Sequence, residues 1–293
     1  MVMSSKTTAR SETTAPTALG FRRVAGYLRS HFLTYTALRR VIVPAAIIAV
    51  WVAVTHARLI GSIFLPSPGD LWDSFQAMKP ELGPSLESSV TMTLLGFLLG
   101  TSFGITMGLA MAYSRIVREL FGGMLDFIRP VPVFALIPLF VLWFGIGKRP
   151  QITLIALGTS IILGVTTIEA IRNVAPVHIK AALTLGASRR RIYLTVILPS
   201  IFPHLLGAIR VAGAASWGLD VAAEFIGAQN GLGYLMIVRE QYLDTSGIVL
   251  VVIIYAFLAL GLDTLIRSAE RPLTRWTERR TGAGVVASIV GQA

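Results

Sequence analysis

The sequence contains no cysteine and comparatively few charged residues. The absence of cysteine excludes disulfide bonds, thiolate metal sites and thiol nucleophiles. Only 14% of the 293 residues are charged and 54% are hydrophobic, a balance too apolar for a water-soluble domain of this length. The four histidines are scattered along the chain without the spacing of metal ligands, so no metal site is predicted. This composition predicts a protein that lies in a lipid bilayer.

Motifs that carry chemistry are also missing. The sequence has no phosphate-binding loop of the form G-x-x-x-x-G-K-[ST], no nucleophile elbow and no zinc-binding motif. The chain is therefore not expected to be an enzyme. If it takes part in driven transport, the energy must come from another chain.

Acidic residues are fewer than basic ones, with 15 against 26 and a net charge of +11. On a soluble protein this excess would suggest nucleic acid as a partner. Here 19 of the 26 basic residues lie in four regions: residues 1–40, the turn at 115–118, residues 172–191, and the stretch from Arg267 onward. Under the positive-inside rule, that distribution marks cytoplasmic segments of a membrane protein. It predicts a multi-pass chain with both termini in the cytoplasm, and no nucleic-acid partner.

Long apolar runs predict about six transmembrane helices and an all-α, polytopic helix bundle. A spanning helix needs roughly 20 mostly apolar residues. The runs that approach this length are, in chain order, 41–55, 90–113, 124–145, a run from about 150 to 168, 201–223 and 248–266. The first is expected to be an uncleaved anchor, because the basic and polar region before it is longer than a usual leader.

The remaining segments are polar or broken by proline. Residues 1–19 are predicted to be a disordered tail and residues 20–40 an amphipathic interfacial helix, with a solvated extension of the first span as the alternative. Residues 58–89, rich in proline and acidic residues, favour short helices on the outer face. The transmembrane domain is assigned to 41–267, with a cytoplasmic loop at 170–198 and a C-terminal tail at 268–293.

A glycine stripe runs along the second span. Gly96, Gly100, Gly104 and Gly108 occur at every fourth position and so share one helix face. Without side chains on that face, a neighbouring backbone can approach closely. The stripe predicts a tight helix contact.

Prolines and charges inside the spans mark candidate positions along a translocation path. Three prolines break the third span, which a membrane tolerates only where protein or a water-filled cavity satisfies the freed backbone groups. Asp220 and Glu224 share a helix face, and either they line the mouth of a cavity or they form ion pairs with Arg239 or Lys148. The candidate path residues are Arg129, Phe134, Arg210, Trp217, Asp220 and Glu224.

The loop at 170–198 contains the signals of a helical hairpin. Pro176 can begin a short helix, Gly186 can end it, and Ser188 can cap the next helix. An alternative interpretation is an ordinary loop whose arginines lie near anionic lipid headgroups.

This hairpin resembles the EAA loop of binding-protein-dependent ATP-binding-cassette (ABC) importer permeases. The family pattern is Glu-Ala-Ala, three residues, Gly, nine residues, Ile-x-Leu-Pro; Lys180 replaces the Glu and Val196 the Ile. The positions that match are Ala181, Ala182, Gly186, Leu198 and Pro199. Further similarity to the permeases of nitrate, sulfonate, taurine and bicarbonate importers lies in 65–68, 129–132, 138–139, 142–147, 223–224 and 231–233.

The resemblance implies a type I importer permease fold in the bacterial inner membrane. It implies a second permease copy, two ATP-binding subunits that hold ATP and magnesium, and an extracytoplasmic binding protein that delivers a small, anionic solute. Coupling to the ATPase would fall on Ala181, Ala182, Leu183, Gly186, Ala187, Ser188, Arg189, Arg190 and Arg191. The alternatives are a secondary transporter driven by an ion gradient, in which Asp220 and Glu224 relay protons, and a membrane scaffold that transports nothing.

Overall fold

Helices account for nearly all of the regular structure in residues 42–274, which the computed structural model describes without the side chain of Arg271. The predictions for 1–19 and 20–40, and most of the predicted tail at 268–293, lie outside these residues. The α-helices are α1 (Ile42–His56), α2 (Pro68–Tyr113), α3 (Arg115–Ile128), α4 (Ile137–Phe144), α5 (Lys148–Arg172), α6 (Pro176–Thr184), α7 (Arg189–Ile192), α8 (Leu198–Gly227), α9 (Leu232–Gln241) and α10 (Thr245–Leu273).

Within residues 42–274, four helical segments are long and apolar enough to cross a membrane. They are α2, α5, the continuous rod Arg189–Gly227 that contains α7 and α8, and α10. α3 and the helical segment from Val133 to Phe144 act as a fifth if the pair counts as one broken span. The first predicted span, 41–55, corresponds to α1, which is apolar but only about 22 Å long at 1.5 Å per residue. α1 belongs to a separate compact unit and is described by itself.

α2 differs from the sequence prediction. Residues 58–89 were expected to form short outer helices before a span at 90–113, but Pro68–Tyr113 is one helix of 46 residues. A capping box formed by Ser67 and Asp70 starts it. Pro80 and Pro84 lie within the helix, where they deprive two carbonyl groups of their amide partners. Those carbonyls belong to exposed residues, so water can satisfy them and the helix continues.

The predicted break in the third span is present. α3 ends at Ile128, the chain turns through Arg129 to Pro132, and the two helical segments on either side are bent by 94°. Pro132 begins the short 3-10 turn Val133–Leu136, which leads directly into α4. Residues 129–132 form the α3–α4 elbow. Because Pro130 and Pro132 have no backbone amide hydrogen, the elbow has no continuous ladder of helical hydrogen bonds.

Within residues 62–274 the bundle is organised around α2, α5, α8 and α10. α2 packs along α5, α5 packs on α8, and α10 contacts α8, α9 and α2. A buried apolar cluster joins α2, α8, α9 and α10, and its members are Met78, Leu82, Trp217, Leu232, Leu235, Val251, Tyr255 and Leu262.

The glycine stripe forms the contact between α2 and α5, as the sequence predicted. A methyl group added at Gly96 would lie 2.7 Å from the Ile155 Cβ, and one at Gly104 would lie 2.5 Å from the Ser160 carbonyl oxygen. Such distances are far below ordinary van der Waals contact, so only glycine fits here. The prediction of a tight helix contact is confirmed, and α5 is the partner.

Candidate functional site

The loop between α5 and α8 folds into a helical hairpin. α6 begins with Pro176 and ends at Thr184, and Gly186, which follows the cap residue, has a φ of +73° in the left-handed region that favours glycine. The Gly186 amide donates to the Leu183 carbonyl at 2.9 Å, and the Ala187 amide donates to the Ala182 carbonyl at 3.1 Å. These two bonds make a Schellman motif, which ends a helix without leaving its carbonyls unpaired.

The second arm of the hairpin begins at Ser188. Its hydroxyl accepts a hydrogen bond from the Arg191 amide at 3.4 Å and caps α7. A five-residue π-helical segment, Tyr193–Ile197, then joins α7 to α8. The three sequence signals for the hairpin, Pro176, Gly186 and Ser188, all have the local role predicted for them.

The tip of the hairpin exposes apolar side chains. Leu185 is 86% exposed, and Val177 and Leu183 are more than half exposed. Of the other residues predicted to couple to an ATPase, Ala182 and Ala187 are half-buried, and the exposed ones are Ala181, Gly186, Ser188, Arg189, Arg190 and Arg191. Arg189 differs from its neighbours, because its guanidinium donates to the Tyr113 carbonyl oxygen at 2.6 Å. The hairpin therefore presents an apolar and basic surface that its own bundle does not cover.

Glu224 lies in a buried hydrogen-bond network between α2, α8 and α9. It is 1% exposed, and its carboxylate accepts hydrogen bonds from the Ser89 hydroxyl at 2.7 Å and from the Gly233 amide at 2.6 Å. Ser89 in turn accepts from the Leu232 amide at 2.8 Å. Leu232 and Gly233 are the first two residues of α9, so the carboxylate stabilises the positive end of that helix. A side chain at Gly231 would collide with the same carboxylate.

Asp220 and Trp217 lie one and two turns before Glu224 and are also buried. The Tyr255 hydroxyl lies 3.0 Å from an Asp220 carboxylate oxygen and 3.4 Å from one of Glu224, and it can donate its single proton to only one of them. The Trp217 and Tyr255 rings meet edge to face, with centroids 6.1 Å apart. Neither carboxylate takes part in an ion pair among the described residues.

This geometry corrects both sequence interpretations of the two carboxylates. They do not line an open surface of this chain, and they do not pair with Arg239 or Lys148. Arg239 instead pairs with Glu81 at 2.8 Å and with Asp244 at 3.9 Å. The sequence could not show that Ser89 of α2 and an amide of α9 would bind Glu224, or that the Tyr255 hydroxyl of α10 would bind Asp220 while the other Asp220 carboxylate oxygen stays without a hydrogen bond among the described residues. The available signal was the occurrence of Tyr255 within the otherwise apolar run 248–262, whereas Ser89 lies in a polar stretch and gave no such signal.

The other candidate path residues are more accessible. Arg210 forms an ion pair with Asp263 at 2.7 Å and a longer one with Glu270 at 3.8 Å, which ties α8 to α10. Phe134 is 57% exposed on the 3-10 turn.

Arg129, at the end of α3, lies 3.6 Å from Glu169 of α5, and both side chains are more than half exposed. They line a cavity of about 310 Å³ between α2, α3 and α5, to which Arg118, Asp126 and Arg172 also contribute. The bundle therefore has one polar cavity wall that combines three arginines with two acids.

The family of this chain is shown by sequence similarity over most of its length. Residues 100–277 match the family of binding-protein-dependent transport system inner membrane components. The chain belongs to this family. The match covers the glycine stripe from Gly100 onward, the α3–α4 elbow, the hairpin and the buried carboxylates.

Curated relatives of this inner membrane component match along nearly their whole length. The taurine transport system permease protein TauC of Escherichia coli is 33% identical over 79% of this chain and 87% of its own. The putative aliphatic sulfonates transport permease protein SsuC of Escherichia coli is 35% identical over 80% of this chain and 89% of its own. A protein of the same description from Bacillus subtilis is 30% identical over 85% of this chain and 91% of its own.

Solved ABC transporter structures share the fold. The permease in an inward-facing form of the MetNI methionine ABC transporter aligns with a TM-score of 0.59 at 19% identity, covering 68% of this chain and 99% of its own. A chain of a bacterial ABC transporter that imports alginate aligns with a TM-score of 0.58 at 15% identity, covering 86% of this chain and all of its own. The predicted all-α, type I importer permease fold is confirmed.

Proposed function

We propose that this inner membrane component is the permease subunit of an ATP-driven importer and that it forms the path for a sulfonate or a similar small anion. The hairpin around Gly186 carries the proposal. It exposes an apolar tip on a rigid capped turn, the surface that a mechanical coupling to another protein requires. The curated relatives supply the solute class, because their names specify taurine and aliphatic sulfonates.

The proposed assembly has two copies of this chain, two ATP-binding subunits and one extracytoplasmic binding protein. ATP and magnesium would be held by the ATP-binding subunits, and the hairpin of each permease would dock on one of them. Both termini and the hairpin would lie in the cytoplasm, as the distribution of basic residues favours. Closure of the ATP-binding subunits would then move the hairpins and reorient the helix bundles.

Uptake by reconstituted vesicles tests this function. We expect radiolabelled taurine to accumulate only when this chain is reconstituted with its ATP-binding and solute-binding partner proteins, and with ATP. Competition by unlabelled ethanesulfonate, nitrate or methionine would define the solute class. Uptake driven by a proton gradient in the absence of ATP would instead indicate a secondary transporter. The full burial of Asp220 and Glu224 argues against that alternative, because a relay needs access to water.

Replacing Gly186 tests the hairpin. We expect Gly186→Val to abolish uptake while the melting temperature of the purified protein stays close to that of the wild type. The strained backbone costs about 1–3 kcal/mol, but this cost falls on the hairpin, where an added Cβ meets open space. Gly186→Asn is the matched control, because asparagine tolerates a positive φ and should retain most of the uptake. Equal loss in both variants would contradict a role for the turn geometry.

A further inference from the structure

The C-terminal end of α2 is capped entirely by groups from outside the helix. α2 has no basic residue in its last turn, and its last four carbonyl groups have no partner within the helix. The Ser114 amide donates to the Ala110 carbonyl at 2.9 Å, and Arg118 of α3 donates to the carbonyls of Met111 and Ala112 at 3.0 and 3.1 Å. The last carbonyl, of Tyr113, receives the Arg189 guanidinium.

Arg189 is the first residue of α7 and so belongs to the hairpin. Besides the hydrogen bond to the Tyr113 carbonyl, its guanidinium carbon lies 5.3 Å from the centroid of the Tyr113 ring, within the range of a cation–π interaction. A cation at this place also stabilises the negative end of the α2 dipole. A hydrogen bond, a cation–π interaction and the interaction with the helix dipole therefore all hold Arg189 of the hairpin at the end of α2.

Tyr193 makes a second, weaker connection beside the first. Its hydroxyl donates to the Leu109 carbonyl at 2.8 Å, and its ring meets that of Tyr113 edge to face with centroids 5.0 Å apart. The hairpin and the bundle are otherwise separated here by a cavity of about 390 Å³, lined by residues of α2, α5, α6, α7 and the π-helical segment. Because a void transmits no packing force, the side chains that cross it carry the contact.

Two covalent routes lead from the hairpin into the bundle: residues 173–175 join α5 to α6, and the π-helical segment joins α7 to α8. α7 reaches α8 only through the π-helical segment, where the Leu198 amide bonds to the Tyr193 carbonyl across five residues. π-Helical turns interrupt the regular ladder and are common where a helix bends. The Arg189 contact therefore adds a non-covalent route to α2 beside the covalent routes to α5 and α8.

We propose that Arg189 is a positioning residue that links the coupling hairpin to α2, and that it transmits the movement of the hairpin to the bundle. This inference rests on the proposed importer function. It separates Arg189 from Arg190 and Arg191, which are equally exposed but whose side chains make no hydrogen bond or ion pair with the described residues, and which would be free to contact an ATP-binding subunit. From α2 the movement passes to α5 through the glycine contact, since those two backbones are too close to slide independently.

The ratio of solute imported to ATP hydrolysed tests the link. In reconstituted vesicles we expect Arg189→Ala to assemble with the ATP-binding subunit and to hydrolyse ATP within about twofold of the wild-type rate. The ratio of solute imported to ATP hydrolysed should fall about tenfold, because the loss of one charge-assisted hydrogen bond corresponds to about that factor. Arg189→Lys should recover part of the ratio. Arg115→Ala is the control, because Arg115 lies near the same helix end but pairs only with Glu119 of its own helix. Arg190→Ala should weaken assembly and leave the ratio per assembled complex unchanged.

Loss of assembly in Arg189→Ala, or an unchanged ratio, would overturn the proposal. A covalent rescue provides an independent check, because the chain contains no cysteine. In the Tyr113→Cys, Arg189→Cys double variant, a bifunctional methanethiosulfonate reagent about as long as an arginine side chain forms a disulfide with each cysteine and should restore the ratio, and reduction of these disulfides should abolish it. Failure of this rescue in an assembled complex would also overturn the proposal.

Hydrogen exchange on the isolated permease distinguishes failure of this link from failure of the importer function. Amides of residues 183–192 should exchange about tenfold faster in Arg189→Ala than in the wild type, and at wild-type rates in Arg115→Ala. If the wild-type complex shows no ATP-dependent uptake, the importer function is wrong, whereas unchanged exchange in Arg189→Ala shows that the link itself is wrong.

Discussion

Replacing Gly104 with alanine is expected to destabilise the bundle by about 3 kcal/mol or more and to reduce the yield of monodisperse protein. The added methyl group would lie 2.5 Å from the Ser160 carbonyl oxygen and 2.9 Å from the Ser160 Cα. Both are backbone atoms of α5, so no rotation of a side chain can relieve the overlap. α2 and α5 would have to separate along their shared length. The melting temperature in detergent, read by light scattering or by size exclusion, measures the effect.

Gly218→Ala is the matched control for this substitution. Gly218 lies within α8, and a methyl group added there meets no atom within 4 Å. Because alanine is about 1 kcal/mol more favourable than glycine in a helix, this variant should be as stable as the wild type or slightly more so. If Gly104→Ala and Gly218→Ala melt at the same temperature, close packing of α2 on α5 does not support the fold.

The second large effect is expected at Glu224. Glu224→Ala should lower the free energy of unfolding by about 3 kcal/mol or more, because it creates a cavity and leaves the Ser89 hydroxyl and the Gly233 amide without their acceptor. The start of α9 would lose its anchor, so limited proteolysis should cut first between α8 and α9. Thermal melting of the purified protein and the proteolysis pattern are the two measurements.

Glu224→Gln keeps the shape of the side chain and one acceptor oxygen. It should retain the Gly233 hydrogen bond and most of the stability, and with them the uptake activity. Glu240→Ala, at an exposed position of α9, controls for removal of a carboxylate and should behave like the wild type. A stable, fully folded Glu224→Ala protein that has lost uptake would contradict the structural role and favour a direct role in transport.

Local signals in the sequence were sufficient to predict the hairpin. Pro176, Gly186 and Ser188 act on the backbone within a few residues of themselves, so their roles do not depend on the rest of the fold. The same holds for the elbow after α3, where prolines remove amide donors whatever surrounds them. The glycine stripe predicted a close contact for a similar reason, although it could not identify α5 as the partner.

Features that depend on distant parts of the chain were not predictable. The partners of Glu224 come from α2 and α9, 135 and 9 residues away along the chain. Arg189 is separated by 76 residues from the carbonyl that it binds. The sequence shows that a buried charge needs a partner but not which group supplies it. The continuity of α2 past Pro80 and Pro84 was missed because local rules treat proline as a helix breaker.

The length of α2 sets how far one end of the protein can act on the other. At 1.5 Å per residue, its 46 residues extend about 69 Å, more than twice the roughly 30 Å thickness of the hydrocarbon region. One end carries the Tyr113 carbonyl that binds Arg189, and Glu81, about 48 Å away along the helix at 1.5 Å per residue, pairs with Arg239 of α9. A tilt of about 5° about the middle of this helix would displace its two ends by about 3 Å each in opposite directions. Docking events on the two faces of the membrane could thus influence each other through a single continuous piece of secondary structure.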